Sequence, residues 1–290
     1  MSHPLQGFRL LTLAANVPGP VAAARLQRLG MQVTKVEPPS GDPLAWGSPA
    51  WYRVLTEGQE VIRLDLKAPE GRARLEPMLA ASDLLLTATR PAALTRLGLD
   101  WPALHERHPR LCQVALVGFP PPEENRTGHD LTYQASAGLL CPPALPLTTV
   151  ADLAAAERAV SAALGLLLAR ERGGKGGHAI VAVKEVAEEF AAPLLHGLTG
   201  PGSPLGGGFP RYGLYQAARG WVAVALLEPH FWERFRHDTG IRDGGPEELG
   251  QLFLTRTAAE WEEWAGARDL PIAAVREPRS GLSASPGAGP

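Results

Sequence analysis

The first half of the chain alternates short apolar runs with longer segments in which apolar residues recur at helical spacing. The apolar runs are rich in branched side chains, which is typical of buried strands, and lie at residues 8–13, 32–38, 83–89, 111–119 and 178–183. Helices are predicted between them at 20–30, 69–82 and 101–108, with Pro77 expected to break or kink the second. Apolar strands separated by helices predict an α/β fold with a Rossmann-like parallel sheet covered on both faces.

The clearest helical pattern is the segment "ADLAAAERAVSAALGLLLARERGG" at residues 151–174. Asp152 is predicted to be its N-cap and Gly173 to follow its last turn. One apolar face is predicted, formed by Val160, Ala163, Leu164, Leu167 and Leu168. A further helix is expected over residues 184–198.

Glycine and proline dominate residues 199–213, which divides the chain into two predicted domains. We assign residues 1–198 to a large Rossmann-like domain and 199–212 to a linker. A β-hairpin followed by helical segments makes 213–277 a smaller α+β domain. The Gly/Pro/Ser-rich residues 278–290 are expected to form a loose tail.

Composition narrows the class of protein. The 290 residues are 45% hydrophobic and 20% charged, with a net charge of −2 and no basic stripe, so nucleic acid is not an expected partner. Two cysteines suggest neither a disulfide framework nor a zinc site, and they fit a reduced, cytoplasmic setting. No apolar run reaches the length of a membrane span, and the N-terminus is expected to be a first strand and not a signal peptide.

The candidate chemistry consists of three polar residues at the starts of predicted elements: His129, Asp152 and Glu228. Each also has a purely structural explanation as a helix cap, stabilising by about 1 kcal/mol in the case of Asp152. The first βα turn lacks the GxGxxG pattern of a dinucleotide site, and no metal-ligand spacing is present. Sequence spacing alone does not bring the three residues together.

Taken as a group, a histidine and carboxylates suit the movement of a proton on and off carbon. Neutral histidine, with a reference pKa of about 6.5, serves as either base or acid near neutrality. A carboxylate at a helix N-terminus is expected to be held ionised by the helix dipole, and nearby backbone N–H groups can bind an enolate oxygen.

Six segments, in order along residues 5–277, resemble the family III CoA transferases and within them the α-methylacyl-CoA racemases. These segments are "GPVAAARLQRLGMQVTKVEPPSGDP", "LDLKAPEGR", "RPAALTRLGLDWPALHERHPRL", "GHDLTYQASAGLL", "ERGGKGG" and "LEPHFW". The resemblance implies that the large domain, residues 1–198, binds CoA, that the substrate is an acyl-CoA with no permanently bound cofactor, and that two chains interlock as a homodimer. No membrane partner is expected, because no apolar run reaches the length of a membrane span.

The same resemblance assigns roles to residues. Transferases of the family use an aspartate, matched by Asp152, as a nucleophile. Racemases use that aspartate as a base, with a Gly-His-Asp histidine and a Leu-Glu-Pro glutamate that match His129 and Glu228 and serve the opposite face of the substrate. Positions that contact CoA or line the thioester end are matched by Arg96, Gly128, Asp130 and Tyr133.

The chain also departs from the family pattern. Gln59 and Glu60 stand where cations commonly meet the CoA phosphates, and "LAAAE" replaces a glycine-rich stretch after the aspartate. The sequence ends soon after the small domain, so an incomplete interlock is expected. A racemase of 2-methylacyl-CoA thioesters is therefore the leading hypothesis. A CoA transferase using Asp152 and a catalytically weakened CoA-binding homologue are the alternatives.

Overall fold

The computed structural model describes residues 3–278 and divides the chain into two compact units, Met1–Ala191 and Ala192–Pro290. Each unit is described by itself below. The predicted loose tail lies outside the described residues from position 279 onward.

The first unit is built on a six-stranded parallel sheet with strand order β3-β2-β1-β4-β5-β6. The strands are β1 (Arg9–Thr12), β2 (Gln32–Glu37), β3 (Glu60–Arg63), β4 (Leu84–Thr87), β5 (Cys112–Val117) and β6 (His178–Ala182). The helices are α1 (Pro18–Arg28), α2 (Pro43–Gly47), α3 (Pro49–Thr56), α4 (Pro69–Ala80), α5 (Pro91–Leu97), α6 (Trp101–Arg107), α7 (Asp130–Ser136), α8 (Val150–Gly173) and α9 (Val183–Phe190). This arrangement confirms the predicted α/β class.

The degree of burial explains why some strands were predicted from the apolar pattern and one was missed. Every residue of β4 and β5 is buried, as expected for central strands covered on both faces. The missed strand, β3, is an edge strand with a largely exposed surface, and its polar ends, Glu60 and Arg63, hide it from a search for apolar runs.

Helix α8 corrects two predictions. It begins at Val150 with Thr149 as the N-cap, so Asp152 lies within the first turn and is not the cap. It ends at Gly173, and the left-handed residue that follows is Gly174 at φ 78°.

The predicted apolar face of α8 is only partly right, since Leu164 and Leu168 are 37% and 55% exposed. The buried face is mostly alanine, whose small side chain lets α8 lie close against α1 and the sheet. Its alanines are Ala151, Ala154, Ala155, Ala156, Ala159 and Ala163.

Two prolines bear on predicted helices, one in α4 and one in the segment 184–198. Pro77 lies inside α4 without ending it, because the carbonyl that loses its partner belongs to Ala73 on the exposed side of the helix. The helix predicted over 184–198 is instead two pieces, α9 and α10 (Ala192–Leu195). Pro193 lacks the N–H that a continuous helix would need there.

The second unit contains an antiparallel sheet in the order β7-β8-β9. Its elements are β7 (Tyr212–Gln216), β8 (Trp221–Ala225), α11 (Pro229–Thr239), α12 (Pro246–Phe253), α13 (Ala258–Gly266) and β9 (Ile272–Ala274). The predicted hairpin is confirmed as β7–β8, whereas α12 and β9 were not predicted. An aromatic core of Phe235, Phe253 and Trp261 packs beneath the sheet. No helix within residues 3–278 combines the length and apolarity needed to cross a membrane.

Two helical glycines make a matched test of this packing. A Cβ on Gly71 would lie 2.0 Å from the carbonyl oxygen of Asp65, whereas one on Gly165 meets nothing within 4 Å. We expect Gly71→Ala to lower the urea midpoint of the first unit. Gly165→Ala should raise the free energy of unfolding by about 0.5–1 kcal/mol through helix propensity. Equal midpoints for the two variants would contradict the packing of α4 against residue 65.

Candidate active site

A cleft of about 240 Å³ opens at the carboxyl ends of β1, β4, β5 and β6. The strand order reverses between β1 and β4, and open α/β sheets bind ligands in the crevice at such a switch point. The polar residues that line it are Asn16, Arg90, Glu124, Arg126, Thr127, His129, Tyr133 and Asp152.

Helix α7 presents His129 at this cleft. His129 is the N-cap of α7 through its backbone: its carbonyl accepts from the N–H of Thr132 at 2.8 Å, and its N–H donates to the Thr132 hydroxyl at 3.0 Å. The imidazole is exposed and makes no hydrogen bond to any residue from 3 to 278. The capping interaction therefore fixes the backbone of His129 while leaving its ring free for a substrate.

Asp130 ties the two helix starts together. Its buried carboxylate accepts from the backbone N–H of Asp152 at 3.1 Å and from the side chain of Gln134 at 2.6 Å. The N–H of Asp152 is one of the first-turn donors of α8 that have no partner within the helix, so Asp130 satisfies it from α7. Residues 129 and 152 are thereby brought to one cleft.

The Asp152 carboxyl is half-buried, and its pKa is raised from 3.8 to about 7. Burial is the larger cause, because it disfavours the charged form, and the nearby negative charge of Asp130 adds to it. With its pKa near 7 the carboxyl is only partly ionised at neutral pH, so the expectation of a fully ionised carboxylate is corrected. The group can both accept and release a proton near pH 7.

Tyr133 forms the floor of the cleft beside two glycines. A Cβ on Gly118 or Gly128 would come within 2.3 or 2.5 Å of the tyrosine ring or hydroxyl, so only glycine leaves room for it. The ring of Tyr133 also packs edge-on against the ring of Phe119, with 5.5 Å between the two ring centroids. Burial, and then the charge of Asp152, raise the pKa of the Tyr133 hydroxyl.

Several cleft residues were missed by sequence reasoning. Arg90 follows the end of β4, and Arg126 stacks over Phe119 at 4.3 Å and pairs with Glu123 at 3.3 Å. Glu124 also lines the cleft, and its buried Oε2 has no hydrogen-bond partner among residues 3–278. The position of Arg90 just after the end of β4 is the signal that could have identified it, whereas Glu124 and Arg126 lie farther along the loop that follows β5 and carry no such signal.

One predicted site residue of the first unit, Arg96, lies away from the cleft, and another predicted site residue, Glu228, belongs to the second unit. Arg96 is exposed on the last turn of α5 and does not line the cleft. Glu228 belongs to the second unit, where it is the exposed N-cap of α11 without a side-chain capping bond. Its pairing with His129 and the contact of Arg96 with CoA therefore remain predictions.

The residues that replace the family's cations have structural partners. The side chain of Gln59 donates to the Leu55 carbonyl at 2.8 Å, and Glu60 accepts from the Thr34 hydroxyl at 3.1 Å. Glu60 therefore links β3 to β2, whereas Gln59 holds the chain just before β3 to the last turns of α3. Over residues 3–278, no group of three His, Cys, Asp or Glu side chains is placed to hold a metal ion.

A Rossmann-like parallel sheet, with one carboxylate and one imidazole lining the cleft at its switch point, defines an α/β enzyme scaffold. The sequence profile of CoA-transferase family III matches residues 5–286, and the chain belongs to this family.

Proteins with different activities are similar in sequence to this chain. The chain is 31% identical to the human α-methylacyl-CoA racemase over 291 residues, which covers 89% of the chain and 74% of that protein. It is 32% identical to succinyl-CoA–D-citramalate CoA-transferase of Chloroflexus aurantiacus over 191 residues. That match covers 60% of the chain and 48% of the relative, so it spans about half of the relative's length.

Solved structures agree on the fold. A hypothetical protein from Mycobacterium tuberculosis superimposes with a TM-score of 0.83 at 25% identity, covering 96% of this chain and 86% of that one.

The raised pKa of Asp152 predicts a titration that is visible by NMR. In ¹³C-aspartate-labelled protein, the resonance absent from Asp152→Asn should titrate near pH 7. Asp130→Asn keeps an oxygen for the Asp152 N–H but removes the charge, so the pKa of Asp152 should fall. A midpoint near 4 in the unaltered protein would contradict the proposed burial of this carboxyl.

Proposed function

We propose that the protein is a racemase that inverts the α-carbon of 2-methylacyl-CoA thioesters by two-base proton transfer. The observation that carries the proposal is the placement of the free imidazole of His129 in the same cleft as Asp152, whose pKa is about 7. General acid–base catalysis is most efficient when the pKa lies near the working pH. A transferase mechanism based on an aspartate nucleophile has no need for the histidine.

In the proposed reaction, the ionised carboxylate of Asp152 takes the α-proton of one enantiomer, and the C–H electron pair forms a thioester enolate. Protonated His129, supported by Glu228 as the family resemblance implies, returns a proton to the opposite face of the same carbon. The product is the mirror-image thioester, with Asp152 protonated and His129 neutral. The other enantiomer reacts by the same steps in reverse.

The second candidate is a CoA transferase, which the Chloroflexus relative's activity favours. There the Asp152 carboxylate would attack the thioester carbonyl, form an acyl-aspartyl anhydride and expel CoA thiolate. The CoA thiolate would then attack the aspartyl carbonyl of the anhydride, release the first acid and form an aspartyl-CoA thioester. A second carboxylate would attack this thioester, expel CoA thiolate and form a second anhydride, whose acyl carbonyl the thiolate would attack to give the new acyl-CoA and free Asp152. A CoA-binding homologue with weakened activity is the third candidate. A homodimer in a cytoplasmic setting remains part of the proposal.

Exchange in heavy water tests the racemase. Each enantiomer of a 2-methylacyl-CoA should gain deuterium at the α-carbon, more slowly below pH 7 for the enantiomer that Asp152 deprotonates, because that carboxylate becomes protonated. We expect Asp152→Asn to lower this exchange by roughly 100-fold or more, and His129→Gln to lower exchange of the other enantiomer similarly. Glu157→Gln is a matched control, because Glu157 lies on the same helix but pairs with Arg25 outside the cleft.

Three other results would decide against the racemase. Absence of exchange by protein saturated with the thioester would exclude the racemase. CoA transfer to a free acid with a trappable adduct on Asp152 would establish the transferase. Thermal stabilisation by CoA with neither activity would identify a binding protein.

A further inference from the structure

A buried charged cluster lies beneath the cleft at the end of β2. Lys35 is 1% exposed, and its Nζ lies 2.6 Å from Asp42 Oδ2 and 3.4 Å from Glu37 Oε1. Glu37 in turn accepts from the Tyr52 hydroxyl at 2.6 Å. One cation and two carboxylates removed from water are costly, and such clusters are seldom more stabilising than an apolar core.

The cluster holds the loop between β1 and α1. Lys35 Nζ donates to the carbonyl of Ala14 at 3.2 Å, and Asp42 Oδ1 accepts from the backbone N–H of Asn16 at 3.1 Å. Asp42 Oδ1 also accepts from the N–H of Leu44 at 2.9 Å, as the cap of α2. Both members of the Lys35–Asp42 pair therefore hydrogen-bond to the backbone of residues 14–16.

These hydrogen bonds hold the backbone of Asn16. Its φ is 65°, in the left-handed region that glycine adopts freely and other residues rarely do. Its side chain lines the cleft, is exposed, and makes no hydrogen bond within residues 3–278. Glycine would fit this backbone with less strain, so the feature that asparagine adds is a free amide facing the cleft.

We propose that Asn16 binds the acyl-CoA thioester in the cleft, and that Lys35 and Asp42 are positioning residues that hold it there. A carboxamide offers two donors and one acceptor, which suits the carbonyl and amide groups of a pantetheine thioester. The ligand class rests on the proposed function, but the role of Asn16 does not depend on whether the bound thioester is racemised or transferred.

Equilibrium binding of propionyl-CoA, measured by calorimetry, tests the role of Asn16 without turnover. Asn16→Gly keeps the backbone conformation and removes only the amide, so we expect binding about tenfold weaker at an unchanged or higher melting temperature. Binding within twofold of the unaltered protein would overturn the proposal. Asn16→Ala should melt at a lower temperature, because it retains the strained backbone without the freedom of glycine.

A double-mutant cycle tests the positioning role. Asp42→Asn should weaken propionyl-CoA binding when Asn16 is present, and have little further effect in the Asn16→Gly background. Equal effects in the two backgrounds would show that the pair only supports the fold. Lys35→Met gives a second, independent cycle with the same expectation. Failure of α-proton exchange would reject the proposed racemase and leave these binding results intact.

Discussion

The hydrogen bond from the backbone N–H of Asp152 to the carboxylate of Asp130 organises the site. It joins the first turn of α8 to the first turn of α7, at 3.1 Å, across 22 positions of sequence. The same contact places a negative charge beside Asp152, which helps to raise its pKa to about 7. Geometry and proton affinity therefore come from one interaction. Asp130 is at once the structural link between the helices and a determinant of the chemistry.

The cleft lies where dinucleotide-binding sheets cradle phosphate, yet the β1–α1 turn carries no glycine-rich fingerprint. A buried lysine–aspartate pair shapes this turn instead, and presents the Asn16 amide where a phosphate loop would present backbone N–H groups. His129, Asp152 and Tyr133 line the same cleft, together with Arg90 and Arg126. The β1–α1 turn therefore differs from a glycine-rich pyrophosphate cradle, although the cleft still carries two cationic side chains.

The parallel sheet and the major helices could be read from the sequence because burial on both faces makes β4 and β5 continuously apolar. The edge strand β3 was missed because exposure leaves it polar. In the site, the family resemblance identified His129 and Asp152 as candidates. It could not reveal the pKa of Asp152, which depends on burial and on a neighbour distant in sequence. Asn16 has no sequence signature, since its role follows from a backbone angle and the buried cluster below it.

In the proposed reaction Asp152 acts as a base and not as a nucleophile. The most direct test is to incubate one pure enantiomer of a 2-methylacyl-CoA with enzyme and a carboxylate acceptor in heavy water, and to follow configuration and isotope together. We expect the opposite enantiomer to appear with one deuterium at the α-carbon while CoA stays on its original acid. Retained configuration without deuterium, accompanied by transfer of CoA to the acceptor, would contradict it.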